Sequence, residues 1–378
     1  MKHIYTEKTY LQDFGFIDSI FTEDTLFFDI ETTGFSRSAS ILYLIGCMHR
    51  KGNLLIIEQF LAESKEDEKE LLLSFQKLLC TKQTLISFHG LGFDVPFLNA
   101  KYNGLKLEAS SQNETHTSKF TDICLNKYPH LDIFKEVKQL QSFLRLPDYK
   151  QKTIESFLES SREDTFHGGE LIPIYEAYQK THDTQLEHLL LLHNFEDILG
   201  MLDLLPILTY KEILKGAFDL ENTQIFEYSS YEGEQKKEYI ITLKNHYPVP
   251  KQVSCQCMNY YLIMYKETTK IRIPIVTEEL RFFFPNYKDY FYLPKEDMAI
   301  HKSVADFVDK QYRQKAKAWN CYTRRTSLFL PQYDTIITPV FRREYKDTCC
   351  YFEYNEAFSA SRDAQLRYIQ HIFGFFLK

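Results

Sequence analysis

Apolar Leu26-Phe27-Phe28 runs into two carboxylates one residue apart, Asp29 and Glu31, and then Thr32-Thr33-Gly34. The apolar positions predict a short buried strand over Thr25–Ile30. In a strand residues i and i+2 face the same way, so Asp29 and Glu31 project together from its C-terminal end. Ile41–Met48 predicts a second apolar strand, and Lys51-Gly52-Asn53 a hairpin turn into a third, Leu54–Leu61. Three strands on short links predict an antiparallel meander. Ser64 precedes an acidic first turn, and Leu71, Leu72, Phe75, Leu78 and Leu79 recur at helical spacing, which predicts a helix packed on the sheet.

Thr84–Phe88 predicts a fourth strand. Beyond it His89-Gly90-Leu91-Gly92-Phe93 leads to Asp94, two residues before Pro96, at the mouth of a helix expected to end near Gly104. Residues 105–122 are polar and predict a loop. A short strand at His130–Ile133, helices over Phe134–Leu144 and Thr153–Leu158, and a helical stretch with Pro173, Tyr175 and Tyr178 after Gly168-Gly169 follow. From Thr184 to about Thr209 the chain is apolar nearly all round, which marks a buried helix. Into it is set the polar island His193-Asn194-Phe195-Glu196-Asp197. His193 and Asp197 are four apart and share a face that Gly200 keeps open to close approach. A histidine and a carboxylate buried there must pair with each other or meet a metal.

Two carboxylates held as close as Asp29 and Glu31 raise each other's pKa, and a hard divalent cation removes that penalty; the alternative is a strand end with two solvated acids. With 378 residues, more than one core usually holds, two domains are expected. Residues 1–213 carry 21 Lys and Arg against 32 Asp and Glu, net −11, whereas residues 214–378 carry 24 against 20, net +4. An acidic half followed by a mildly basic, Tyr- and Phe-rich one fits metal chemistry in front and an anionic ligand behind; chance asymmetry is the plainer explanation. The eight cysteines lack paired zinc-site spacing, so reduced thiols are expected. No apolar leader or membrane-length run is present, and a cytoplasmic protein is the expectation.

Past Lys211 short strands are predicted at Phe226–Tyr228, Tyr239–Leu243, Tyr260–Tyr265, Ile271–Val276 and Arg281–Phe284, then an amphipathic helix over Ala299–Ala318 with Lys302, Lys310, Arg313, Lys315 and Lys317 on a basic face. Arg324, Arg325, Arg342 and Arg343 follow among aromatics. Such side chains suit single-stranded nucleic acid, phosphates on the cations and bases on the rings. They equally suit a small α+β domain whose aromatics are core and whose charges are solvated.

Taken together, Phe28-Asp29-Ile30-Glu31-Thr32-Thr33-Gly34, Phe88-His89-Gly90-Leu91-Gly92-Phe93-Asp94-Val95-Pro96 and His193-Asn194-Phe195-Glu196-Asp197 resemble, in order, the three exonuclease motifs of the DEDD superfamily, and more narrowly the bacterial YprB-like group of ribonuclease H-like proteins. The resemblance covers about 24–210 and implies there a ribonuclease H-like domain with a mixed central sheet flanked by helices; with a short, partly helical lead-in over 1–23 and a smaller α+β domain of no recognised family over 211–378, an α/β chain is expected. It implies that Asp29, Glu31, Asp94 and Asp197 bind two Mg²⁺ or Mn²⁺ ions, that His193 orients or deprotonates the attacking water, and that the protein hydrolyses phosphodiester bonds of DNA or RNA, as a 3′→5′ exonuclease working from a single-stranded end. Thr32, Thr33 and His89, with Arg324 and Arg325 from the second half, are the expected substrate contacts. Two features depart from the pattern: three residues rather than four separate His193 from Asp197, and His89 stands where asparagine is common. A nucleic-acid-binding or protein-interaction module on an inactive nuclease scaffold is the alternative.

Overall fold

The computed structural model describes residues 1–10, 15–111, 123–164, 166 and 168–377, which form two compact units, Met1–Lys211 and Glu212–Lys378. The first is built on a six-stranded sheet: β1 (Lys2–Thr9), β2 (Thr25–Thr32), β3 (Leu42–Lys51), β4 (Leu54–Leu61), β5 (Thr84–Ser87) and β6 (His130–Asp132), in the order β1-β4-β3-β2-β5-β6. β1 to β4, β4 to β3 and β3 to β2 pair antiparallel, whereas β2 to β5 and β5 to β6 pair parallel. The predicted meander is present. The partly helical lead-in over 1–23 contains the helix Gly15–Ile20, but its first residues, Lys2–Thr9, are an edge strand paired to β4 along its length. Most of its side chains are exposed, so it carries almost no apolar signal, and its charged character suits an unprotected edge.

Nine helices are described in this unit: α1 (Gly15–Ile20), α2 (Glu68–Leu79), α3 (Asp94–Ser111), α4 (Ile133–Lys138), α5 (Gln141–Leu144), α6 (Gln151–Leu158), α7 (Gly168–Thr181), α8 (Thr184–Leu204) and α9 (Thr209–Lys215), the last running across the unit boundary. α3 continues past Gly104, because Leu105, Lys106 and Leu107 are good helix formers and one exposed glycine costs only about 1 kcal/mol; residues 112–122 of the predicted loop lie outside the described residues. The helix expected over Phe134–Leu144 is two, α4 and α5, and the long buried helix stops at Leu204, where Pro206 turns the chain into a short 3₁₀ segment. The two faces of β2 are covered differently. Phe28 packs its ring 5.8 Å from Phe75 of α2, while its neighbour Asp29 meets α8 on the opposite face.

The second unit is sheet-rich. Its seven-stranded sheet comprises β7 (Phe218–Ser229), β8 (Gln235–Asn245), β9 (Val253–Cys257), β10 (Tyr260–Tyr265), β11 (Thr268–Phe283), β15 (Tyr322–Gln332) and β16 (Cys350–Glu353); β12 (Tyr290–Leu293), β13 (Met298–His301) and β14 (Gln314–Lys315) form a small separate sheet. The two strands predicted across 271–284 are one, β11. Pro274 is tolerated because it falls between the last residue paired to β10, Arg272, and the first paired to β15, Val276, where a missing N–H removes no bond from that ladder. The basic helix expected over Ala299–Ala318 does not form. Its residues supply β13, a single turn α10 (Lys302–Ala305), a 3₁₀ turn and β14, because Ala299 and Ala316 pack with Cys321 under Tyr290 and Tyr292 instead of along one helical stripe. α11 (Glu356–Ser359) and α12 (Arg362–Phe373) close the unit, with Tyr368 buried against Tyr260 and Phe352.

Candidate functional site

The site begins with a row of three residues across the sheet. Asp29 of β2 pairs with Gly46 of β3, and Gly46 with Gln59 of β4. Over this row lies Asn194 of α8, whose Nδ2 donates to Asp29 Oδ2 (3.1 Å) and whose Oδ1 accepts from Gln59 Nε2 (3.0 Å). Gln59 also donates to the Leu191 carbonyl (2.9 Å). The middle of the row must lack a side chain, since a Cβ on Gly46 would collide with the Asn194 amide. The interior of an apolar strand thus carries the seat for α8.

Glu31, two residues beyond Asp29, shares its face and is buried. Pairing between β2 and β5 stops at Phe27, and past that point the Ile30 N–H is taken by Asp94 Oδ1 (3.1 Å). The first residue of α3 therefore continues the sheet edge with a carboxylate, on the amide that lies between Asp29 and Glu31 in sequence. The approach to Asp94 is held by Asp132, which accepts from the His89 and Leu91 amides (3.0 and 3.1 Å) and also caps α4. His89 has a left-handed backbone (φ 64°) and sets its ring edge-on to Phe134 at 4.7 Å. Thr32 and Thr33 spend their hydroxyls on the turn, Thr32 donating to the Gly34 carbonyl and Thr33 accepting from the Ile41 amide, both at 2.9 Å.

α8 brings the remaining groups. His193 is buried, and its Nε2 lies 3.4 Å from Glu31 Oε1 and 3.2 Å from Asp197 Oδ2. Its Nδ1 faces Asp164 Oδ2 at 2.8 Å. Asp164 is itself fixed by Lys152 (3.1 Å), Arg162 (3.2 Å) and the Phe166 amide (3.0 Å); burial alone would raise its carboxyl, but these partners and His193 hold it below the usual range. Arg162 sits among acids, bonded to Asp197 Oδ1 (2.6 Å) and Glu155 Oε2 (3.1 Å). Gly200 admits this group, since a Cβ there would meet Glu155 of α6. Glu196, adjacent to Asp197, turns away and accepts the Glu163 and Asp164 amides (2.9 and 2.8 Å), clamping the loop after α6.

Four sequence-motif acids therefore converge, and they repel one another. Burial first, then Asp94, Glu31 and Asp197, drive the Asp29 carboxyl well above its ordinary range; burial, then Asp197, Asp94 and Asp164, do the same to Glu31. Burial pushes Asp94 up to about 7. Among the described residues no lysine or arginine pairs with Asp29, Glu31 or Asp94, and Arg162 and Lys152 are the cations set against Asp164, Glu155, Glu196 and Asp197. A pocket of buried oxygens with its charge uncompensated fits hard divalent ions. Glu31, His193 and Asp197 present ligand atoms that all lie within 4.8 Å of one another. Reading the sequence misses Asp164, Arg162, Glu155 and Gln59, which arrive through tertiary packing. Gly46, isolated in an apolar strand, and Asn194, inside the polar island, are the signals that point to the helix seat.

Arg324 and Arg325 lie in the second unit on β15. Arg324 is bonded to Glu279 (3.1 Å) and Arg325 to Glu353 (3.0 Å), and as strand neighbours they face opposite sides of the sheet. All eight cysteines are free. Among the described residues no helix is long and apolar enough to cross a membrane.

A family model described as the RNase_H superfamily matches residues 26–209. No curated protein matches. Among solved structures, Escherichia coli exonuclease I in complex with a dT13 oligonucleotide is 11% identical with a TM-score of 0.28, the match covering 58% of this chain and 55% of that one. The family B DNA polymerase of the hyperthermophilic archaeon Pyrobaculum calidifontis is 12% identical with a TM-score of 0.36, over 71% of this chain and 36% of that one. The present chain thus spans about half the length of the exonuclease I chain it matches. Residues 26–209, the segment that the RNase_H superfamily model matches, hold every acid of the converging set.

Proposed function

We propose that the first unit is a metal-dependent nuclease that hydrolyses phosphodiester bonds of DNA or RNA, as a 3′→5′ exonuclease. The observation that carries this reading is the convergence of buried Glu31 and Asp94 with partly exposed Asp29 and Asp197 into one mutually repelling set beside His193. In this reading those four carboxylates hold two divalent ions, Mg²⁺ or Mn²⁺. Two ions held there would supply Lewis-acid activation of a water and charge neutralisation at the leaving oxygen. The chain's own part is to fix the oxygens: Asn194 orients Asp29, the Ile30 amide orients Asp94, and Asp164 holds the His193 ring. Thr32, Thr33 and His89 border the acids and would meet the terminal nucleotide, while lysines of the second unit, rather than the glutamate-paired Arg324 and Arg325, would draw in a single strand.

The ion pair between Arg162 and Asp197 favours a second reading, a nucleic-acid-binding module on an inactive scaffold, because it occupies one oxygen of a metal-binding acid. An end-labelled cleavage assay on single-stranded DNA and RNA separates the two. The nuclease yields a mononucleotide ladder in Mn²⁺ or Mg²⁺ that EDTA, Asp29→Ala and Asp197→Ala each reduce by orders of magnitude. Strand binding with no product under any metal, or full activity in Asp29→Ala, overturns the nuclease reading.

A further inference from the structure

We propose that His193 is a metal ligand: with Glu31 and Asp197 it forms a mixed nitrogen–oxygen site for one divalent transition ion, with Asp164 as the carboxylate that holds the ring behind it. The three-residue interval between His193 and Asp197 places both on one face of α8, so the ring nitrogen and the carboxylate aim at the same point rather than at successive points along a strand of substrate. Glu31 reaches that point from β2, and the three donor atoms lie within 4.8 Å of one another. Donors about 2.0–2.2 Å from a shared ion are at most about 4.4 Å apart, so the three side chains need close by only a few tenths of an ångström to share one. Nε2 stands 3.4 Å from Glu31 Oε1 and 3.2 Å from Asp197 Oδ2. With Nδ1 set on Asp164, Nε2 faces two carboxyl oxygens, a contact that a proton satisfies in the free protein and that a shared divalent ion satisfies in its place when bound.

The outer side of the ring supports the same assignment. Ligating histidines characteristically give their second N–H to a carboxylate, and Asp164 accepts it while locked by Lys152, Arg162 and the Phe166 amide. A histidine serving as general base would instead need its free nitrogen on an open path to water, whereas this side chain is 4% exposed. An imidazole among the ligands shifts preference along the transition series, so the site should take Mn²⁺, Co²⁺ or Zn²⁺ ahead of Mg²⁺.

This inference rests on the acids of the proposed nuclease but does not require cleavage. The test is titration of the full chain with MnCl2, CoCl2 and MgCl2 by calorimetry, with proton NMR of the Co²⁺ form. Expected are tighter Mn²⁺ and Co²⁺ than Mg²⁺ binding and one strongly shifted, exchangeable imidazole N–H resonance in the Co²⁺ form. Both are lost in His193→Gln, and Asp164→Asn weakens Mn²⁺ binding by about 10–100-fold. The wild-type resonance needs no variant to fold. Its absence, or unchanged Mn²⁺ affinity in His193→Gln, overturns the proposal. Intact cobalt signals in a protein that cleaves nothing would sink the nuclease and leave the ligand; cleavage with Mn²⁺ affinity unchanged in His193→Gln would do the reverse.

Discussion

Asp94 stands 5% exposed with one oxygen on the Ile30 amide, and burial pushes its carboxyl up to about 7 although its backbone hydrogen bonds pull the other way. An acid whose folded pKa lies above its unfolded value of 3.8 stabilises the fold while protonated, and loses that contribution as pH rises from about 4 through about 7. At pH 8 without metal, Asp94 should therefore cost the fold a few kcal/mol, since each tenfold change in proton affinity is worth about 1.36 kcal/mol. Asp94→Asn keeps an oxygen for Ile30 and removes the charge. In EDTA, chemical denaturation should find the variant gaining on wild type as pH rises from about 4.5 to about 8, by a few kcal/mol in total. Adding Mn²⁺ at pH 8 should reverse the ranking, since only wild type retains the ligand. A pH-independent difference would mean that Asp94 is ionised and already compensated. His130 works in the opposite sense: burial lowers it to about 4, so its contribution is lost as pH falls from 6.5 to 4, and comparing Asp94→Asn with wild type cancels that background.

At the scale of elements, the placement of α8 decides whether His193 and Asp197 meet Glu31. Asn194 seats the helix on the row Asp29–Gly46–Gln59, and nothing larger than glycine fits beneath it. Gly46→Ala should therefore lift the helix, at a cost of about 1–3 kcal/mol for overpacking. It should also lower the cleavage rate by about 10²-fold, as expected when catalytic groups shift by about 1 Å. Gly104→Ala in α3 is the contrasting case: no atom lies within 4 Å of its new Cβ, so it should gain about 0.5–1 kcal/mol and leave the rate alone. Denaturation midpoints and single-turnover rates check both. Elements whose burial imposes a period are legible in the sequence, as β2, β3, β4, α2 and α8 show. β1 is not, because an edge strand buries little. The helix expected over 299–318 fails because tertiary packing overrides local spacing: Ile300, Val304 and Phe307 recur at helical intervals, yet Val304 and Phe307 are left exposed while Ala299 and Ala316 pack with Cys321. The motif acids announce themselves by local order. Asp164, far from the motifs in sequence and brought to His193 by a loop, has no local signal.

Across the whole chain, the charge split follows the division into units at residue 211. The acidic first unit concentrates carboxylates where ions would bind, and by itself repels a polyanion. If the second unit captures the strand, its arginines are poorly placed to do so: Arg281, Arg324, Arg325 and Arg343 are all paired with glutamates. Lys302, Lys310, Lys315 and Lys317 have no such ion pairs among the described residues, and Lys317 lies 5.0 Å over the ring of half-exposed Trp319. Phosphates on these lysines with a base on Trp319 would bind a single strand without reading its sequence. Replacing all four lysines by alanine should weaken single-strand affinity and flatten its dependence on salt, the slope of log K against log salt falling by about 0.7 for each phosphate no longer neutralised. Calorimetric Mn²⁺ binding should remain at the wild-type level. An unchanged salt slope would place strand capture elsewhere, and Lys65 and Arg37 in the pocket beside the Thr32–Ile41 turn of the first unit would be the next cations to replace.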